Sequence, residues 1–152
     1  MDLYSIARGS VFIWFEYTFE DGSKKDKYII TLNCNIKNSK INTVKNNHIY
    51  VVLTTSQFKK HYENNGDNMI DIVIVNKGEC RFLKEEKTVI DLKKIILKET
   101  ESFKKAIRDK KLKFLGLLEP DILKKIENEI EEAFTISSEY KDILLCRNSA
   151  II

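Results

Sequence analysis

The chain has 152 residues, 43% of them hydrophobic and 32% charged, with 26 Lys and Arg against 23 Asp and Glu for a formal net charge of +3. That length supports one core of useful size, so a single domain over 1–152 is the economical reading, and the composition excludes disordered and fibrous classes. A balance so close to neutral neither requires nor forbids a nucleic-acid partner, and any anionic ligand must be met by a local cluster.

In chain order, the first long feature is a hairpin over 8–33, RGSVFIWFEYTFEDGSKKDKYIITLN. Val11, Ile13 and Phe15 alternate with Phe12, Trp14 and Glu16, and 28–32 is a second β-branched and aromatic run. Asp21-Gly22-Ser23 supplies turn chemistry, and Lys24, Lys25 and Lys27 crowd around Asp26 where the chain returns. A basic tip on a rigid hairpin suits a phosphate, although a charged hairpin tip is more often simply solvated. Residues 34–47, CNIKNSKINTVKNN, read as a loop. A buried strand is predicted at 48–53 (HIYVVL), leaving through the three hydroxyls Thr54, Thr55 and Ser56.

A turn of helix is expected within 57–65, a strand at 69–75 (MIDIVIV) and a short extended piece at 80–83. The strand 88–92 (TVIDL) is expected to close the β portion. Many short strands before any long helix favour a small antiparallel sheet curling into a half-open barrel. Residues 95–97 either finish that strand or begin a helix, with Phe103, Ile107 and Leu112 spaced for one apolar face. Lys104 to Lys113 is the most basic stretch and reads as a solvated face. Pro120 opens a clearer helix, in which Ile122, Leu123, Ile126, Ile130 and Phe134 follow a helical period. Ser137 caps a final short helix, and 147–152 are expected to fray.

Cys34, Cys80 and Cys146 form no CxxC pair and have no His at metal-ligand spacing, so they read as reduced thiols with no zinc site or disulfide framework. No run of about 18 apolar residues occurs and the first ten residues lack a continuous apolar stretch, so a cytoplasmic protein without membrane contact is expected. There is no GxSxG, P-loop or HExxH, which removes the hydrolase and nucleotide-binding classes those motifs serve.

Four segments in order resemble the MazF/PemK family, the ribonuclease toxins of toxin-antitoxin pairs. Arg8-Gly9-Ser10-Val11-Phe12 is similar to that family's opening strand, followed by an Asp-Gly-Ser-Lys turn and a strand ending in Asn33. Val51-Val52-Leu53-Thr54-Thr55-Ser56 resembles the strand carrying the family's active-site Thr or Ser. Lys87 to Leu92 resembles a later strand, and Leu117 to Ile126 the closing leucine and helix. The family's usual Arg-Pro at the second strand is replaced by Lys25-Asp26-Lys27-Tyr28.

The resemblance implies an α+β fold: a small SH3-like curled antiparallel β-barrel over about 8–92 with C-terminal helices over about 93–146. It also implies metal-independent cleavage of single-stranded RNA through a 2′,3′-cyclic phosphate, with no cofactor, a homodimer, and an antitoxin partner. On this reading Lys25, Lys27, Thr54 and Thr55 are the catalytic candidates, and Lys24, Ser56, His61 and Tyr28 contact substrate. Lysine serves as proton donor or electrostatic clamp near neutral pH, and a threonine hydroxyl bonds a phosphate oxygen. His48, His61 and Asp26 remain open as the base. The alternative is a non-catalytic RNA- or protein-binding module on the same fold; a barrel unrelated to toxins that binds a partner protein is a third reading.

Overall fold

The structure, a computed structural model, describes residues 6–32 and 48–147. Its elements in order are β1 (Ser10–Thr18), β2 (Lys24–Thr31), β3 (His48–Thr55), α1 (Phe58–His61), β4 (Ile72–Asn76), β5 (Lys87–Glu99), α2 (Thr100–Arg108), β6 (Leu112–Leu117), α3 (Pro120–Glu132) and α4 (Ser138–Leu144). The described strands form one antiparallel six-stranded sheet in the order β4-β5-β3-β2-β1-β6. The architecture is α+β.

Period-two alternation divides the core between the two faces. Val11, Ile30, Val52 and Ile90 pack with Ile122, Ile126 and Ile130 of α3 and Leu144 of α4. Phe12, Ile29 and Val51 pack on the opposite face with Phe103 and Ala106 of α2. The sheet curls without closing: Lys98 of β5 lies over the rings of Trp14 and Tyr17 on β1, although β3 and β2 intervene in strand order.

The hairpin turn, α1, α3 and the Ser137 cap fall where the sequence puts them. Gly22 has φ of +86°, and the Ser137 side chain accepts from the Tyr140 N–H. Elsewhere the boundaries move. Strand β5 continues to Glu99, and β6 follows α2, so strand pairing extends well into the segment expected to be helical. Leu112 is buried at the start of β6, not on the face of α2. Residues 69–71 and 80–83 are turns, and β4 begins only at Ile72.

Phe134 is 90% exposed because the chain leaves the helix at Ala133 in an extended conformation, breaking the series that its spacing continues. Arg147 does not fray: its guanidinium pairs with Glu131 at 2.8 Å and Asp142 at 2.7 Å. Cys80 is a free buried thiol, but Cys146 is disulfide-bonded, which overturns the expectation of three reduced thiols. The loop expected at 34–47, the side chain of His48 and the residues after Arg147 lie outside the described residues. No helix among the described residues is long and apolar enough to cross a membrane.

Candidate functional site

Leu53 packs with the α2-side core and also lines a cavity of about 380 Å³. Three elements carry chemistry into it. Lys25 and Lys27 of β2 line the cavity on the side where Ile29 packs, as alternation requires. Asp26, between them, instead accepts the backbone N–H of Glu16 at 2.9 Å. Glu16 sits in a β1 irregularity between Trp14 and Tyr17 with φ of +54°, and this exposes the N–H that Asp26 takes. The carboxylate that would have reduced the pocket's positive charge is therefore outside it.

The Lys27 ammonium donates to the Thr54 carbonyl at 3.1 Å and lies over the Phe19 ring at 5.7 Å. Burial lowers its pKa, and repulsion from Lys25 and Lys94 lowers it further.

The end of β3 distinguishes two adjacent threonines. Thr54 is buried, and its hydroxyl donates to the Tyr28 carbonyl at 3.1 Å, which commits it to holding β3 on β2. Thr55 Oγ1 accepts from the Gln57 N–H at 3.2 Å, which leaves its hydroxyl proton available to a ligand. Both residues line the cavity, as does His61 of α1.

The third element is a large bulge in β5. Val52 pairs with Ile95 and Thr54 with Ile90, so Leu53 alone is opposed by residues 91–94. The bulge delivers Asp91, Lys93 and Lys94 to the cavity. Asp91 is only 2% exposed; its Oδ2 accepts the Tyr62 hydroxyl at 2.9 Å, and its Oδ1 accepts the Lys93 backbone N–H at 3.0 Å. The Lys93 ammonium also lies 3.0 Å from Oδ1, and donates to the Asn68 carbonyl at 3.1 Å and the Ile70 carbonyl. Burial raises the pKa of Tyr62, and its bond to Asp91 raises it further, so this phenol keeps its proton.

Among the described residues, four lysines and one aspartate thus line the cavity, an excess of three positive charges, with hydroxyl and amide donors beside them. That arrangement is chemically suited to an oxyanion, the lysines by charge and Thr55 by direction. Among the described residues, no group of three or more His, Cys, Asp or Glu side chains is placed to hold a metal ion.

Lys25, Lys27, Thr54, Thr55 and His61, named from the sequence, come together here. Three others do not. Lys24 is exposed opposite Thr18, Ser56 is exposed beyond the lining, and Tyr28 packs against the α3-side core, its carbonyl accepting the Thr54 hydroxyl. Sequence reasoning missed Asp91, Tyr62, Lys93 and Lys94. The available signal was the pair Lys93-Lys94 interrupting two apolar runs, a pattern that marks a bulge as well as a strand end.

Comparison with known proteins finds no protein-family model that matches the chain and no curated protein with a matching sequence.

Proposed function

We propose that this chain is a metal-independent endoribonuclease of the MazF/PemK toxin type, acting on single-stranded RNA. On this reading the curled sheet is an SH3-like barrel, and the cytoplasmic protein works as a homodimer neutralised by an antitoxin. The observation that carries the proposal is the convergence of Lys25, Lys27 and Thr55 on one cation-rich cavity from which Asp26 is turned away.

In the reaction, the ribose 2′-oxygen attacks its own phosphorus and gives its proton to a base. The bond from phosphorus to the 5′-oxygen breaks, that oxygen takes a proton, and a 2′,3′-cyclic phosphate remains. Lys27, with its pKa lowered by burial and by neighbouring lysines, is a better proton donor than an ordinary lysine. Lys25 and the Thr55 hydroxyl hold the non-bridging oxygens as charge develops. His61 is the imidazole of the lining and is assigned the 2′-proton.

A second reading, phosphate binding without cleavage, is favoured by one observation. Lys27 and Thr54 each donate to a backbone carbonyl, and Asp91 is occupied by Tyr62 and Lys93, so among the described lining residues His61 is what is left to act as base.

Incubating the protein with long single-stranded RNA in EDTA separates the readings. The expected result is fragments with cyclic phosphate ends, abolished by Lys27→Ala and reduced by Thr55→Ala and His61→Ala. Retention of RNA without fragments would establish the binding reading instead.

A further inference from the structure

The two lysines of the β5 bulge are adjacent in sequence and differ in their surroundings. Lys93 is 22% exposed, and its ammonium is held by Asp91 and by the carbonyls of Asn68 and Ile70. It anchors the bulge. Lys94 is 67% exposed, and its ion-pair contact is with Asp91 Oδ2 at 4.0 Å, on a carboxylate already bonded to Tyr62 and Lys93. Its charge is directed at the cavity and is only loosely compensated.

We propose that Lys94 is the third cation of a phosphate clamp, acting with Lys25 on the non-bridging oxygens of a phosphodiester whose leaving oxygen faces Lys27. The RNA substrate rests on the function proposed above; the clamp itself rests on geometry. All three lysines line one cavity, two from β2 and one from the bulge across the sheet. The clamp therefore has two walls, and Lys94 supplies the wall opposite the hairpin. Asp26 makes no contribution, since its carboxylate is bonded to the Glu16 N–H.

The proton affinity of Lys27 supports this grouping, because the positive charges of Lys25 and Lys94 both depress it after burial has done so. Like charges gathered in a partly desolvated pocket oppose folding, and an anion placed among them relieves the repulsion. Lys94 is thus a substrate-contacting residue, whereas Lys93, held by three acceptors, is a positioning residue. The bulge assigns the two roles by sending adjacent side chains to different places.

The test titrates the full-length protein with inorganic sulfate, whose charge is constant above neutral pH, and follows binding by NMR. RNA cleavage is assayed in parallel. The variants are Lys94→Ala, Lys94→Arg and, as a control of equal charge, Lys104→Ala on α2. Lys94 is largely exposed, so its replacement leaves the fold intact. Lys94→Ala is expected to weaken sulfate binding about tenfold, the scale of one charge-assisted contact. Lys94→Arg restores it, and Lys104→Ala has no effect.

A second readout separates a clamp from a structural role. Binding by the wild-type protein fades as pH rises through the Lys27 pKa. Without Lys94 that pKa rises, so the residual binding of Lys94→Ala persists to higher pH. If Lys94→Ala matches wild type in sulfate affinity and pH profile, the proposal is overturned, even where RNA is cleaved. If Lys94→Ala loses sulfate but no protein cleaves RNA, the clamp stands and the ribonuclease reading fails.

Discussion

Tyr62, the residue that ends α1, donates its hydroxyl to Asp91 Oδ2 at 2.9 Å, tying that helix to the β5 bulge behind the candidate pocket. Both residues are buried, so the bond is shielded from water. Tyr62→Phe removes one donor from Asp91 and leaves the two from Lys93, an expected loss of about 1–3 kcal/mol. Asp91→Ala leaves the Tyr62 hydroxyl and the Lys93 ammonium without their carboxylate, an expected loss of about 3–5 kcal/mol. Urea unfolding of the two variants measures the difference, and equal losses would contradict the account of Lys93 as a second anchor.

The same phenol contributes to the alkaline limit of stability, together with Tyr50 and Tyr140. Tyr62 has its pKa raised in the folded state by burial and Asp91, Tyr140 is pushed up to about 12 by burial and Tyr50, and burial raises Tyr50 as well. Each contribution is complete below the unfolded tyrosine pKa of about 10 and is lost as pH rises toward the folded value, because the unfolded chain ionises first. Stability is expected to decline above about pH 10. Tyr62→Phe, although less stable near neutrality, should decline less steeply; a parallel decline would show that Tyr62 does not titrate with unfolding.

The legible elements of this chain are those whose information is local. The hairpin is written in alternation around Asp21-Gly22-Ser23, and α3 in the spacing of Ile122, Ile126 and Ile130 behind Pro120. The pocket was half legible for the same reason: Lys25 and Lys27 lie on one face of one strand, and Thr55 ends another. Its remaining wall depends on Leu53 being opposed by 91–94, a pairing between strands far apart in sequence that no periodicity records. Strand β6 was hidden because Leu112 extends the helical spacing of Phe103 and Ile107, while its actual partner is Trp14 of β1. Propensity gave way to tertiary pairing there.

Asp71 gives a prediction on the acid side. It has φ of +56° in the turn before β4, and its carboxylate accepts from the Phe134 and Thr135 N–H groups and the Thr135 hydroxyl at 3.0, 2.8 and 2.6 Å. Burial alone would raise its pKa, but the bonds from Thr135 and Phe134, aided by Lys93, together lower it. Its contribution is therefore complete above the unfolded aspartate pKa of about 3.9 and is lost as pH falls through the lower folded value. Asp71→Ala is expected to cost about 2–3 kcal/mol near neutrality and to flatten the acid limb of stability. Urea unfolding across the acid range provides the check, and an unchanged slope would remove Asp71 from the account.

Gly116 is required by a close approach. It sits in β6 with φ of +151°, and a Cβ added there would lie 2.3 Å from Phe82 Cζ. Gly116→Ala must therefore displace a ring that packs on the α3-side core, at an expected cost of about 2–3 kcal/mol. Phe82→Leu in the same chain should recover part of that loss. A double-mutant cycle reads the coupling directly, and strict additivity would mean that Phe82 is not what excludes a side chain at 116.

The adjacent threonines give the sharpest functional contrast, since valine removes a hydroxyl from either with little change of shape. At Thr54 the hydroxyl is spent on the Tyr28 carbonyl within the protein, so Thr54→Val is expected to lower stability by about 1 kcal/mol. Its effect on RNA cleavage should be small once the protein is folded. At Thr55 the hydroxyl oxygen accepts the Gln57 N–H and keeps its proton for a ligand, so Thr55→Val should cost about 0.5–1 kcal/mol of stability, as at Thr54, while lowering kcat by about tenfold or more. A loss confined to KM would mean that Thr55 holds the ground-state phosphate without following it into the transition state. The reverse pattern, with Thr54→Val inactive and Thr55→Val fully active, would place the reacting phosphate on the Thr54 side of the strand and exclude the arrangement proposed for Lys25, Lys27 and Lys94.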